Sequence, residues 1–172
     1  MKGLVHIYCG DGKGKTTAAM GLAVRAAGNG LKVLILQFLK NGRTGELESL
    51  AKLDHVTVIR GKGGMKFVCN MNEREKDEAL RIHTENLNKV MEQAENYDLL
   101  ILDEAMGACS CGLLNKDLLC RFLDGKPDGL EVVMTGRDPA QEFLDRADYI
   151  SEIKKIRHPY DKDVPARKGI EF

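Results

Sequence analysis

The sequence has no excess of charge of either sign, since 26 Lys and Arg balance 26 Asp and Glu over 172 residues. A general nucleic-acid binder draws much of its affinity from neutralising phosphates and usually carries a basic surplus, so no nucleic-acid partner is expected. Nor does any apolar run approach the roughly 20 residues needed to cross a bilayer, and no membrane partner is expected. Met1-Lys2-Gly3 passes straight into a strand-like run, which leaves no room for a secretory leader. The five cysteines are odd in number and lack a secreted disulfide pattern, pointing to a reducing cytoplasm. No repeat, low-complexity segment or linker divides the chain. A length that buries a core without staples then implies one domain over residues 1–172.

Short β-rich runs alternate with helical patterns. Strands are predicted over Leu4 to Cys9, Lys32 to Leu39, Val56 to Arg60, Tyr97 to Glu104, Glu131 to Thr135 and Tyr149 to Ile156. Helices are predicted over Thr16 to Ala27, ending at Gly28, and over about Glu73 to Asn96. In the second helix Leu80, His83, Leu87, Val90, Met91 and Ala94 form one apolar stripe, which makes His83 a packed core residue rather than a metal ligand. Strands separated by such helices build right-handed βαβ units. The expected fold is therefore α/β, a mainly parallel sheet of about six strands with helices on both faces. Ligands of such sheets bind at the carboxyl ends of the strands, where the loops after Cys9, Leu39, Arg60, Glu104 and Thr135 converge.

The first of those loops, in "HIYCGDGKGKTTAAMG", carries the chemistry. It nearly matches G-x-x-x-x-G-K-[ST], except that Cys9 stands where the first glycine belongs and Gly10 follows. Gly10, Gly12 and Gly14 permit unusual dihedrals and close backbone approach, so that successive N–H groups converge on phosphate oxygens. The helix that follows adds free N–H groups and the positive end of its dipole. Lys15 supplies a point charge to the phosphates, Lys13 a second cation, and the Thr16 hydroxyl a ligand for Mg²⁺; Asp11 and Thr17 complete the nucleotide-binding stretch.

Two further segments belong with this loop. The apolar run "LLILDE" ends in Asp103 and Glu104, which places carboxylates where the metal of a bound triphosphate sits. "TGRDP" brings Arg137 to the same sheet edge, where a guanidinium clamps phosphate through paired hydrogen bonds. Other nucleotide-binding classes fit poorly. "NKDL" has Leu118 where a guanine-reading N-K-x-D needs its acid, and no lysine stands near Gly10 to open the loop. Cys109, Cys111 and Cys120 lack a second matched pair and read as small packed residues rather than a thiolate metal site. Loop and carboxylates alone leave open a small-molecule kinase, in which Glu104 activates an acceptor hydroxyl, and a non-catalytic nucleotide-binding module.

The tail narrows the choice. "ADYISEIKKIRHPYDKDVPARKGIEF", with His158-Pro159-Tyr160 and Gly169-Ile170-Glu171-Phe172, resembles the P-loop type of ATP:corrinoid adenosyltransferase. That family also shows the loop matched by Gly10 to Ala18 and a Q-F-[IL]-K then G-E pattern, matched by Gln37 to Lys40 and Gly45-Glu46. The resemblance runs from Leu4 to Phe172 and implies a RecA-type P-loop NTPase-like fold. It implies transfer of the 5′-deoxyadenosyl group of ATP to a Co(I) corrinoid with Mg²⁺ or Mn²⁺, releasing triphosphate, in cobalamin biosynthesis or salvage. It also implies a homodimer and a flavoprotein reductant that delivers Co(I). By the same resemblance Lys15, Glu104 and Arg137 are catalytic, Thr16, Asp103 and Glu104 hold the metal, and Phe67 and His158 join the binding site. Two departures stand out. Cys69 occupies a tryptophan place of the family, anchored by the R-E-x-D match at Arg74, Glu75 and Asp77, and the chain opens on its first strand where many members carry an extension.

Overall fold

The computed structural model describes residues 2–40, 44–61 and 68–171. Strand β1 (Val5–Cys9) leads through the glycine loop into helix α1 (Lys15–Gly28). There follow β2 (Val33–Gln37), α2 (Gly45–Leu50), β3 (Val56–Arg60), α3 (Glu73–Gln93), β4 (Leu99–Asp103) and α4 (Ala105–Ser110). The chain continues through α5 (Lys116–Asp124), β5 (Glu131–Thr135), α6 (Gln141–Leu144) and β6 (Tyr149–Glu152). Short 3-10 turns lie at Val68–Asn70, Ala94–Asn96 and Pro159–Lys162.

The six strands form one sheet in the order β3-β2-β4-β5-β1-β6, every pair parallel. The expected α/β architecture is borne out. Alternate residues of β2 explain its unbroken apolar run: Val33 and Ile35 pack with Ala19, Met20, Ala23 and Ala26 of α1, while Leu34 and Leu36 join the core beneath α3 to α6. Burying each such side chain contributes roughly 1.5–3 kcal/mol, an upper figure because the unfolded chain is already partly compact. Small residues on the buried stripe of α1 let it lie close across β4 and β5, which fixes where its N-terminus points.

Register brings the chemistry to one edge. Gln37 pairs with Asp103, and Tyr8 with Thr135, so the carboxyl ends of β2, β4, β5 and β1 are level. Helix α3 starts on a capping box in which Asn72 accepts from the Glu75 N–H and Glu75 accepts from the Asn72 N–H, both at 2.9 Å. The match at Glu75 thus has a structural use.

His83 is fully buried, as expected, with its ring edge-on to Phe38 at 5.3 Å. Neither ring nitrogen has a hydrogen-bond partner among the described residues, and burial pushes its pKa down to about 4. Leu87 and Val90 are buried beside it, whereas Leu80 and Met91 are only half-buried and Ala94 sits in the 3-10 turn that ends the helix early. The last strand also departs from expectation. It stops at Glu152, because Ile153 turns to the glycine loop, donating its N–H to Cys9 O and accepting from the Gly12 N–H.

Candidate active site

Cys9 is the last residue of β1, in register with Glu152 and packed in the core beneath α3 to α6. A side chain is accommodated there because the sharp turn starts one residue later, at Gly10 with φ 100°. Gly10 and Gly12 are required for a reason that the motif does not state. A Cβ on either would meet the carbonyl oxygen of Ile153, at 2.5 Å and 2.7 Å respectively. Their N–H groups are used as well: Gly10 donates to Arg137 O at 3.2 Å and Gly12 to Ile153 O at 2.7 Å. At these two positions the amides are thus bonded within the protein, and the convergence of N–H groups expected of the loop falls to the residues that follow. Gly14 (φ 120°) caps α1, and Ala18 is the first residue to bond back, to Gly14 O. The N–H groups of Lys15, Thr16 and Thr17 therefore stand at the positive end of the helix. Lys15 is buried, its Nζ donating to Gly10 O at 2.7 Å and Gly12 O at 2.8 Å.

Behind the loop lies a hydrogen-bonded knot centred on Asp103, which has no exposed surface. Its Oδ1 accepts from Thr16 Oγ1 at 2.9 Å and Thr135 Oγ1 at 2.7 Å; its Oδ2 accepts from Gln37 Nε2 at 3.2 Å and lies 3.8 Å from Lys40 Nζ. Thr135 Oγ1 in turn accepts from the Glu104 N–H at 2.9 Å. Glu104 and Leu39, at the ends of adjacent strands, both adopt left-handed backbone, with φ 61° and 55°. Such conformations cost free energy in a non-glycine residue and tend to collect where side chains must be aimed. Burial and the Asp103 charge push the Glu104 carboxyl up, while Lys40, Lys15 and Arg137 pull it down.

A cavity of about 440 Å³ gathers these groups. Asp11 to Thr17 form its floor, and Glu104, Arg137 and His158 join from other elements. Asp103, expected beside the metal, does not line it; of the two carboxylates at the end of β4, Glu104 does. The tail folds back over the loop: Lys155 donates its N–H to Asp11 Oδ1 at 2.9 Å, and Glu171 lies 3.2 Å from Lys13 Nζ. His158 Nδ1 accepts from the Tyr160 N–H at 3.1 Å, which fixes its ring. Phe67 lies outside the described residues, whereas Cys69 is exposed in its 3-10 turn. Sequence reasoning about chemistry passed over Lys40, Glu46 and Glu171, which line the cavity, and Thr135 and Gln37, which hold Asp103. Their signal was positional, a polar residue at or just beyond the end of an apolar strand or in the tail.

The donor set suits a hard divalent cation. The Thr16 hydroxyl and the Glu104 carboxylate, which line the cavity, offer oxygen only, and Mg²⁺ typically takes one or two protein carboxylates and completes its shell with phosphate and water. Among the described residues no cluster of three His, Cys, Asp or Glu forms a self-sufficient metal cage.

Comparison with known proteins agrees with this geometry. The family model described as "ATP:corrinoid adenosyltransferase BtuR/CobO/CobP" matches residues 1–172. The chain is 31% identical over 175 aligned residues to the corrinoid adenosyltransferase of Escherichia coli strain K12, covering 99% of this chain and 86% of that protein. It has the same identity and coverage against the corrinoid adenosyltransferase CobA of Salmonella typhimurium strain LT2. Among solved structures, a KaiC-like protein from the archaeon Pyrococcus horikoshii OT3 superposes with a TM-score of 0.55 at 18% identity, over 89% of this chain and 73% of that one. The last likeness bears on fold alone.

Proposed function

The chain belongs to the ATP:corrinoid adenosyltransferase family BtuR/CobO/CobP, and we propose that it transfers the 5′-deoxyadenosyl group of ATP to the Co(I) of a reduced corrinoid. The observation that carries this reading is the cavity itself. The glycine loop, Glu104, Arg137 and the returning tail with His158 and Glu171, which define the resemblance by their order in sequence, meet around one space.

In this reaction Co(I) attacks the 5′ carbon of ATP. A Co–C bond forms, the C5′–O bond breaks, and its electron pair leaves on inorganic triphosphate. The nucleophile carries no proton, so no general base is needed. What the protein must stabilise is negative charge growing on the departing oxygen and its phosphates. Lys15, Lys13 and Arg137 supply formal charge, and the N–H groups at the start of α1 supply oriented dipoles. Lys15 first has to exchange Gly10 O and Gly12 O for phosphate oxygen.

Mg²⁺ or Mn²⁺ belongs to the same proposal, held by Thr16 and Glu104, with Asp103 fixing Thr16 from behind. When bound it adds positive charge beside the phosphates. A homodimer, a flavoprotein electron donor and a cytoplasmic site are likewise proposed on family grounds. Five free cysteines agree with a reducing compartment, and among the described residues no helix is long and apolar enough to cross a membrane. Anaerobic incubation of the protein with Co(I) corrinoid, ATP and Mg²⁺ tests the reading; it requires the spectrum of an alkyl-cobalt product, and its absence would reject the reading.

A further inference from the structure

Glu171 lines the same cavity as the loop cations although it stands at the far end of the chain. Its Oε1 accepts from Lys13 Nζ at 3.2 Å. The same carboxylate accepts three bonds from Arg167, from the backbone N–H at 2.7 Å, Nη2 at 3.1 Å and Nε at 3.3 Å. Arg167 thus orients the carboxylate within the turn at Arg167 to Glu171. These contacts hold its pKa at about 2, so Glu171 is an anion wherever a triphosphate is. The Gly12 N–H bonds Ile153 O and the Lys155 N–H bonds Asp11, which pins the first part of the tail to the loop.

The two loop lysines are therefore both engaged, but by different chemistry. Lys15 rests on neutral carbonyls, which add no net negative charge to the cavity. Lys13 rests on a carboxylate that it shares with Arg167, and an entering phosphate chain competes with that carboxylate for Lys13.

We propose that Glu171 is a placeholder anion of the triphosphate site: it neutralises Lys13 when no nucleotide is held, yields it to the bound triphosphate, and reclaims it as the product leaves. That the departing anion is a triphosphate rests on the adenosyltransferase reading; the competition for Lys13 does not. A carboxylate that remains in the cavity weakens affinity for ATP and product alike, which favours turnover when release of a multiply charged product is slow.

Binding of inorganic triphosphate with Mg²⁺ to the full chain, followed by calorimetry at fixed ionic strength, tests the proposal. Glu171 belongs to an exposed turn and glutamine keeps its size, so Glu171→Gln is expected to melt with the native chain, which is checked first. The expected result is binding about tenfold tighter in Glu171→Gln, with the KM for ATP falling and inhibition by added triphosphate growing. Glu171→Asp, which keeps the charge, is expected to stay within about threefold of the native chain. Unchanged or weaker binding in Glu171→Gln overturns the proposal, as does equal tightening in both variants. Adenosylation by the native chain is measured alongside. Its absence would strike the functional reading, while normal adenosylation with unaltered triphosphate affinity in Glu171→Gln would strike only the role given to Glu171.

Discussion

Thr16 Oγ1 donates to Asp103 Oδ1 at 2.9 Å, joining the start of α1 to the end of β4 across 87 positions of sequence. Thr135 donates to the same oxygen and Gln37 to the other, so three elements are tied to a helix N-terminus by one buried carboxylate. Removing that acceptor strands three donors. Asp103→Ala is expected to lose about 3 kcal/mol of stability, since each buried unpaired group costs on the order of 1 kcal/mol or more. Urea unfolding measures the loss, and a change within experimental error would contradict the knot's structural role.

Lys15 is the cation placed deepest in the loop. Lys15→Ala is expected to lower kcat for adenosyl transfer by on the order of 100-fold or more, the scale of losing one preorganised charge at a developing anion. Thermal melting is expected to fall by only a few degrees, because the two hydrogen bonds to loop carbonyls that are lost also held a charge out of water. A near-native rate would remove Lys15 from the phosphate role.

Glu104 trades stability for chemistry. Its pKa is raised by burial and by Asp103, so the folded state favours the protonated form. Stability is then fullest below the ordinary carboxylate range and is lost as pH rises through the folded pKa. Glu104→Gln removes that loss and is expected to melt higher than the native chain at pH 7 but not at pH 4. Its kcat is expected to fall on the order of 100-fold. Melts at the two pH values with steady-state rates check both halves.

His83 gives the opposite sign. Its pKa falls from 6.5 to about 4, so the neutral ring is favoured in the fold. The contribution is present above pH 6.5 and is lost as pH drops toward 4, amounting to about 3 kcal/mol over that window. His83→Leu should show a correspondingly flatter stability profile between those pH values. Parallel slopes for the two proteins would show that His83 is not buried neutral.

The middle of the sheet was legible because β2, β4 and β5 are short apolar runs cut by glycine, polar clusters and helical stretches, and an unbroken apolar run reports that burial. β3 and β5 were placed to the residue. The end of β6 was not, because "IKKI" keeps strand-like residues while its backbone is recruited by the glycine loop. The same contact explains Gly10 and Gly12. Their motif was read as room for phosphate, whereas the first demand on both is room for Ile153. The phosphate-loop residues, Glu104 and Arg137 were legible from motif order. Thr135 was not, and Gln37 and Glu171 were legible as parts of motifs but not by what they touch, since the partners of the three lie 32, 66 and 158 positions away and no local pattern encodes such pairs.

The proposed reaction breaks the C5′–O bond, with the whole triphosphate as leaving group. Phosphate products are measured most directly by phosphorus NMR of a single anaerobic turnover with Co(I) corrinoid, ATP and Mg²⁺. One inorganic triphosphate is expected for each adenosylated corrinoid formed. Recovery of ADP with a phosphorylated acceptor, or with inorganic phosphate, would contradict it.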